Sequence, residues 1–242
     1  MEETKKKGLN TSSNSYTIIY SVVIVVIVAF LLAFVSSSLK PQQDENVALD
    51  KKKQILASLN IRDIDGAEAA DTYNKVITAD EIINRDGKVV EQGKQGGTEA
   101  GFLCNSASTK EGRLALYVCN VDGETKYVIP GYGMGLWGGI SGYIAVNADK
   151  QTVYGAYFNH EGETAGLGAE IKDSREWQDQ FKGKHIFAAG KQGIALSVVK
   201  KSEVTDPTTQ CDAVTGATLT SNGVSDMLHT CLSDYTKFLT SK

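Results

Sequence analysis

The chain has 242 residues, long enough for one well-cored domain with accessories. Its 25 Lys+Arg against 29 Asp+Glu give a formal net charge of −4, which argues against the basic face that nucleic-acid binding needs. With 24 glycines, 3 prolines and 22% charged residues, and without an internal period, it fits neither a disordered chain nor a repeat protein.

Residues Tyr16 to Val35 carry no charge over 20 positions. As a helix rising about 1.5 Å per residue they cover about 30 Å, the hydrocarbon thickness of a bilayer. Tyr16 and Tyr20 sit like interfacial anchors at one end. The run is longer than the apolar core of a cleaved signal peptide, and Val35-Ser36-Ser37 is a poor cleavage site. Lys5, Lys6 and Lys7 precede the span closely, whereas only Lys40 follows it closely. The positive-inside rule then puts residues 1–15 in the cytoplasm and the chain beyond about residue 40 outside, although Lys51, Lys52 and Lys53 fall within the counting window. The span offers only Thr17 and Ser21 as polar groups, so it does not read as an ion path.

Residues 36–60 read as a stalk or as the first helix of the domain, with Pro41 to Leu59 helical after a short linker. A second helix is expected within Glu68 to Ala79, and Asn84 to Gly97 reads as turn plus loop. Leu114 to Val121 and Glu124 to Ile129 flank Asp122-Gly123, a hairpin signal. Gly142 to Ala148 and Thr152 to Phe158 are further strands, joined by Asp149-Lys150. Asp173 to Phe181 is expected as a short helix with Trp177 and Phe181 on one face. His185 to Ala189 and Ile194 to Lys200 read as paired strands around Gly190-Lys191-Gln192-Gly193. Val224, Leu228, Cys231, Tyr235 and Leu239 recur at threes and fours in a terminal helix. The sum is an α+β domain over residues 61–242, its sheet largely antiparallel and flanked by helices, behind a single N-terminal transmembrane helix. No glycine-rich βα turn supports a Rossmann domain.

Chemistry concentrates in three segments. Gly131-Tyr132-Gly133-Met134-Gly135-Leu136-Trp137-Gly138-Gly139 interleaves glycines with large apolar side chains. Such a loop either tucks Trp137 into the core or lets Leu136 and Trp137 shield a flat ligand. His160-Glu161-Gly162-Glu163-Thr164-Ala165-Gly166-Leu167-Gly168 looks like a metal half-site, but no second histidine stands at a usable spacing, so no metal is expected. The four cysteines, Cys104, Cys119, Cys211 and Cys231, contain no CxxC pair and read as small buried side chains, with disulfides open to them in an oxidising compartment. The third segment is Asp212-Ala213-Val214-Thr215-Gly216-Ala217-Thr218, followed by Leu219-Thr220-Ser221 at a helix start. Ordinary capping and a positive-φ turn account for it structurally.

That third segment also resembles the Asp-x-x-(Ser/Thr)-Gly-Ala-Thr motif of proteins that carry FMN covalently, joined through its phosphate to the last threonine. The whole chain is similar to the C-subunit family of the sodium-translocating NADH:quinone reductases of bacterial membranes. The resemblance implies Thr218 as the attachment point, with Asp212, Thr215, Gly216, Ala217 and Thr220 around the phosphate. Ser221 is a further candidate to cap the helix or bind the phosphate. It also implies Leu136, Trp137, Glu163, Thr164, Gly166 and Leu167 near the ring. Ala165 stands where that family has proline, and Thr215 where serine is common. A separate flavin transferase drawing on FAD performs the attachment in such proteins. The implied setting is the bacterial inner membrane, with a single-pass chain and a periplasmic main domain. Its implied partners are the membrane lipid and the other subunits, including an iron–sulfur membrane pair and a second flavin-bearing subunit. The chain then relays electrons and has no catalytic residues or independent activity. Two alternatives stay open: the equivalent subunit of an ion-translocating ferredoxin:NAD oxidoreductase, and a cofactor-free anchored binding domain.

Overall fold

A computed structural model describes residues 11–190 and 193–241, in two compact units that divide between Ala48 and Leu49. Lys5, Lys6 and Lys7, on which the orientation argument leans, and Lys191 and Gln192 lie outside the described residues.

Helix α1 (Asn14–Ser58) starts with the apolar run. Its best 18-residue window has a mean hydropathy of 3.2, and none of that window is buried. Side chains from Ile18 to Val35 are exposed on every face. A helix apolar all round needs a solvent other than water, and this one is long and apolar enough to cross a membrane. The expected linker before Pro41 does not appear: the proline lies inside the helix. Proline deletes one backbone hydrogen bond and crowds the preceding turn, but no second breaker supports it, and Lys40 and Asp44 pair across it at 2.6 Å.

The second unit begins with the last turns of α1, where Ile55, Leu56, Ala57, Ser58 and Leu59 are buried. Helix α2 (Gly66–Val76) leads directly into β1 (Ile77–Ile83). The expected helix therefore stops before Ala79, because β-branched Ile77 and Thr78 turn the chain into the sheet. β2 (Val89–Glu91) pairs with β1, inside the stretch expected to be loop. A 3₁₀ turn (Gly101–Leu103) and α3 (Ser106–Lys110) precede β3 (Leu114–Val121), β4 (Glu124–Met134), β5 (Gly139–Asn147) and β6 (Val153–His160). The six strands run in the order β2-β1-β3-β4-β5-β6, and each pair is antiparallel. At the hairpin, Asp122 and Gly123 take φ of 54° and 83°, the left-handed pair a tight turn requires.

Both faces of the sheet are covered. Leu114, Leu116, Ile129, Ile144 and Val146 point to one side, against Val224, Met227, Leu228 and Leu232 of α6 (Thr218–Asp234). Tyr117 and Tyr143 point to the other, and Tyr73 of α2 and Phe102 are also buried, their rings 5.9 Å apart. Asp80, only 1% exposed, accepts the N–H groups of Lys94, Ala100 and Phe102 and ties the loop after β2 to the sheet.

The expected helix from Asp173 to Phe181 is two pieces, α4 (Glu170–Asp173) and α5 (Arg175–Asp179). Ser174 leaves helical geometry between them, and its Oγ caps α5 by accepting the Trp177 N–H at 3.2 Å. Trp177, Phe181 and Phe158 pack as three mutually contacting rings. The strand pair expected over 185–200 reduces to isolated bridges, Phe187 with Ile194 and Thr152 with His185. Instead β7 (Ser197–Val199) pairs in parallel with β8 (Gln210–Asp212), a strand concealed within a polar stretch. After α6 the chain ends in a short helix α7 (Thr236–Leu239). All four cysteines are buried free thiols.

Candidate functional site

The start of α6 sets the site. Val214 and Ala217 are buried in the core, so the intervening Thr215 and Gly216 are pushed outward and Thr218 emerges exposed at the first helical position. Gly216 makes the bend at φ +79°, and a Cβ there would meet Leu167 Cδ2 at 2.9 Å, so the threonine turn and the loop after β6 are in direct contact. Val214 N–H donates to Ser221 Oγ at 3.0 Å, and Ala217 N–H donates to Val214 O at 3.1 Å. The Ala217 amide is thereby engaged within the turn. Among the described residues no side chain caps α6: Ser221 serves Val214, and the Thr220 hydroxyl donates to Glu163 Oε2 at 2.6 Å. A 17-residue helix thus begins, among the described residues, without a side-chain cap, and its first residue, Thr218, is exposed.

Asp212, at the end of β8, is held by its backbone. Its N–H donates to Gln180 Oε1 at 2.9 Å and its C=O accepts Trp177 Nε1–H at 2.8 Å. Its carboxylate lies 3.9 Å from the Lys201 ammonium. Asp212 and Thr215 line an open cleft of about 400 Å³ together with Gly166, Glu170 and Lys201.

The glycine-rich segment is strand at both ends. Residues 131–134 finish β4 and Gly139 begins β5, which leaves Gly135 to Gly138 as the turn. Gly133 and Gly223 let α6 lie on this end of the sheet: a Cβ on Gly133 would sit 2.7 Å from Met227 Cβ, and one on Gly223 only 2.2 Å from Met134 O. Trp137 is not tucked into the core. It is 69% exposed, and Leu136 is 48% exposed at the same turn. Met134, Leu167 and Leu219 are exposed as well, so large apolar side chains stand open on three segments that touch one another near the start of α6.

In the loop after β6, Leu167 N–H donates to Thr164 O at 3.1 Å, closing a turn over Ala165 and Gly166, the latter at φ +71°. The second position of such a turn favours proline, and Ala165 occupies it. Alanine in place of proline leaves the unfolded chain freer by about 0.4–1 kcal/mol without disturbing the turn itself. Thr164, Gly166 and Leu167 are exposed, whereas Glu163 is only 8% exposed. Glu163 Oε1 accepts the Trp137 N–H at 2.9 Å, Oε2 accepts the Thr220 hydroxyl, and its own N–H donates to His160 Nδ1 at 3.2 Å. Burial pushes the Glu163 pKa up. The Thr220 hydroxyl, the Trp137 and Leu136 N–H groups and the nearby His160 outweigh that push and hold the carboxyl below its ordinary range. Sequence reasoning groups Glu163 with ring-facing residues. A carboxylate flanked by glycines on two loops is the signal available, and it is readable only once the loops are known to meet.

A depressed folded pKa fixes the sign of a pH effect. The carboxylate's contribution to stability is complete above its ordinary value of about 4.3 and is lost as pH falls through the lower folded value. The difference in urea midpoint between the wild type and Glu163→Gln is therefore expected to be present just above about pH 4.3 and to close as pH falls further. A difference that instead widens on acidification contradicts this account of the carboxylate.

Comparison with known proteins bears on this geometry. The FMN-binding domain profile matches residues 135–233, which include the glycine turn, the loop after β6 and most of α6. The Na(+)-translocating NADH-quinone reductase C-subunit of Pseudomonas aeruginosa is 30% identical, over 91% of this chain and 92% of that protein. Its counterpart from Haemophilus ducreyi is 33% identical, over 77% of each chain. Among solved structures, the fold is similar to the corresponding C-subunit from Parabacteroides distasonis, with a TM-score of 0.76 and 40% identity over 84% of this chain and 98% of that one. It is also similar to NqrC of Shewanella oneidensis, with a TM-score of 0.65 and 25% identity over 80% of this chain and 97% of that one.

Proposed function

The chain belongs to the C-subunit family of Na(+)-translocating NADH-quinone reductases, and on that premise we propose that it is the electron-relay subunit of such a complex, carrying FMN on Thr218 through a phosphoester. The observation that carries this reading is the exposed Thr218 at the start of α6, with exposed Leu219 beside it, Leu167 against the Gly216 bend, and the exposed Leu136–Trp137 turn joined to the first turn of α6 through Glu163. These residues fit the group. Helix-start N–H groups and the helix dipole suit a phosphate diester, and the open apolar side chains suit a flat aromatic ring. FMN supplies the electron-carrying chemistry when bound, and the protein supplies tether, orientation and environment.

Attachment balances as a transfer from FAD. The Thr218 Oγ bonds to the flavin-side phosphorus, the pyrophosphate P–O bond breaks, AMP leaves, and the hydroxyl proton goes to the medium. The threonine is consumed as a tether, so it has no part in turnover. Asp212 and Thr215, on the neighbouring cleft, are free of the core and open to a transferase. Asp212 carries the same sign as the phosphate, and its backbone anchoring lets the carboxylate stand toward Lys201 instead.

Residues 16–35 of α1 anchor the chain in the bacterial inner membrane, and the domain stands on the periplasmic side. Part of the charge that weakens the positive-inside contrast is tied to the domain. The half-buried Lys51 ammonium donates to Phe102 O and Cys104 O, and the Lys52 ammonium lies 5.2 Å from the centre of the Tyr73 ring. Burial pulls the Lys51 pKa down, against a smaller opposing pull from Cys104. The partners are the other subunits of the reductase, with an iron–sulfur membrane pair upstream and a second flavin downstream. The chain is not catalytic alone. The similarity of nearly the whole chain to quinone reductase subunits favours this setting over a ferredoxin:NAD oxidoreductase.

The test is the intact mass of the protein isolated from its native membrane, followed by peptide mapping. The expected result is the chain plus FMN less one water, with the increment on the peptide that holds Thr218. An unmodified chain, or an increment on another residue, overturns the proposal.

A further inference from the structure

We infer that Glu163 is a positioning residue that clamps the Leu136–Trp137 turn to the first turn of α6, and so sets the apolar wall in register with Thr218. The inference deepens the proposed flavin site and rests on it for its ligand. Its geometry stands on the chain alone.

The two carboxylate oxygens reach in different directions. Oε1 takes the Trp137 N–H at 2.9 Å and Oε2 takes the Thr220 hydroxyl at 2.6 Å, across 57 residues of chain. Space for the carboxylate is made by glycines on both sides. A Cβ on Gly135 would lie 2.4 Å from Oε1, and one on Gly168 would lie 2.4 Å from Oε2 and 2.6 Å from Thr220 Oγ1. The backbone beneath it is fixed by the Glu163 N–H on His160 Nδ1 and, next door, by the Gly139 N–H on Glu161 Oε2 at 3.3 Å. A carboxylate this buried is costly unless hydrogen-bonded, and here each oxygen has a donor. One donor belongs to the segment that presents Trp137. The other lies two residues beyond Thr218, and is buried where Thr218 is exposed.

The alternative is a carboxylate that merely stabilises the fold, and local measurements separate the two. In the unflavinylated Thr218→Val background, Glu163→Ala is expected to speed exchange of the Trp137 amide by about tenfold to a hundredfold, the loss of one charge-assisted bond, while Val128 and Ile144 in the sheet exchange as before. Glu163→Gln keeps an oxygen for that N–H but loses the charge, and is expected to speed exchange by clearly less than Glu163→Ala does. In flavinylated protein, Thr220→Val cuts only the helix arm. Trp137 exchange is then expected to hold, while flavin fluorescence anisotropy falls as the wall and tether lose register.

Unchanged Trp137 exchange in Glu163→Ala, or faster exchange spread evenly through the sheet, overturns the clamp. Unchanged anisotropy in Thr220→Val, which serves even where Glu163→Ala does not fold, overturns it independently. A chain that never acquires flavin defeats the functional proposal but leaves the amide measurements to decide on the clamp.

Discussion

Thr218→Val, expressed alongside a flavin transferase, is expected to yield a folded, colourless protein without the FMN mass increment and without a fluorescent band after denaturing electrophoresis. Valine keeps the β-branched shape and removes only the hydroxyl. Thr218 is exposed, so the change falls in the class of surface substitutions worth within about 0.5 kcal/mol of stability. The loss of label therefore reports chemistry and not unfolding, which an unchanged thermal transition checks. Thr220→Val makes the contrast. Its hydroxyl lies two residues further along α6 but donates to Glu163 and is 1% exposed, so it is not available to the transferase. Attachment is expected to survive there. Label retained in Thr218→Val, or lost only in Thr220→Val, reverses the assignment of tether and clamp.

The contrast between those two threonines shows what a linear reading can reach. The pattern around Thr218 is local: a glycine bend, then a helix with apolar residues at threes and fours, and both are visible in sequence order. The strands β3 to β6 are legible for the same reason, since Asp122-Gly123 and Asp149-Lys150 mark short-range pairings. What escapes are long-range facts. β8 is three residues of a polar stretch, and it is a strand only because β7 lies beside it in parallel. Thr220 reads as a free phosphate ligand because its partner, Glu163, is 57 residues away. Trp137 reads in sequence first as a core residue and second as a ring shield, and the structure has it 69% exposed, on a turn whose Trp137 N–H donates to Glu163. Pro41 misleads in the opposite direction, since a single local breaker weighs less than the helix around it.

The same long-range logic makes Gly223→Ala the most informative stability variant. Gly223 lies inside α6, where helix propensity alone says alanine stabilises by about 1 kcal/mol. The expected result has the opposite sign. A Cβ at this position would sit 2.2 Å from Met134 O, 3.2 Å from Met134 C and 3.3 Å from Gly135 Cα, all backbone atoms that no rotamer change can move aside. Either α6 lifts from the end of β4 or the turn at Gly135 shifts, and overpacking of this kind costs about 1–3 kcal/mol, sometimes more. At this contact the upper part of that range applies, so a net loss of roughly 2 kcal/mol is expected after the propensity gain, or about 4–8 °C in Tm for a domain of this size. Because the displaced atoms are those that carry Trp137 and Thr218, the flavinylated variant is also expected to lose flavin anisotropy while keeping its covalent label, since the hydroxyl remains at an exposed helix start. A Gly223→Ala protein as stable as the wild type, with the ring held as before, means that α6 does not rest on β4 as closely as described, and the register between tether and wall then needs another explanation.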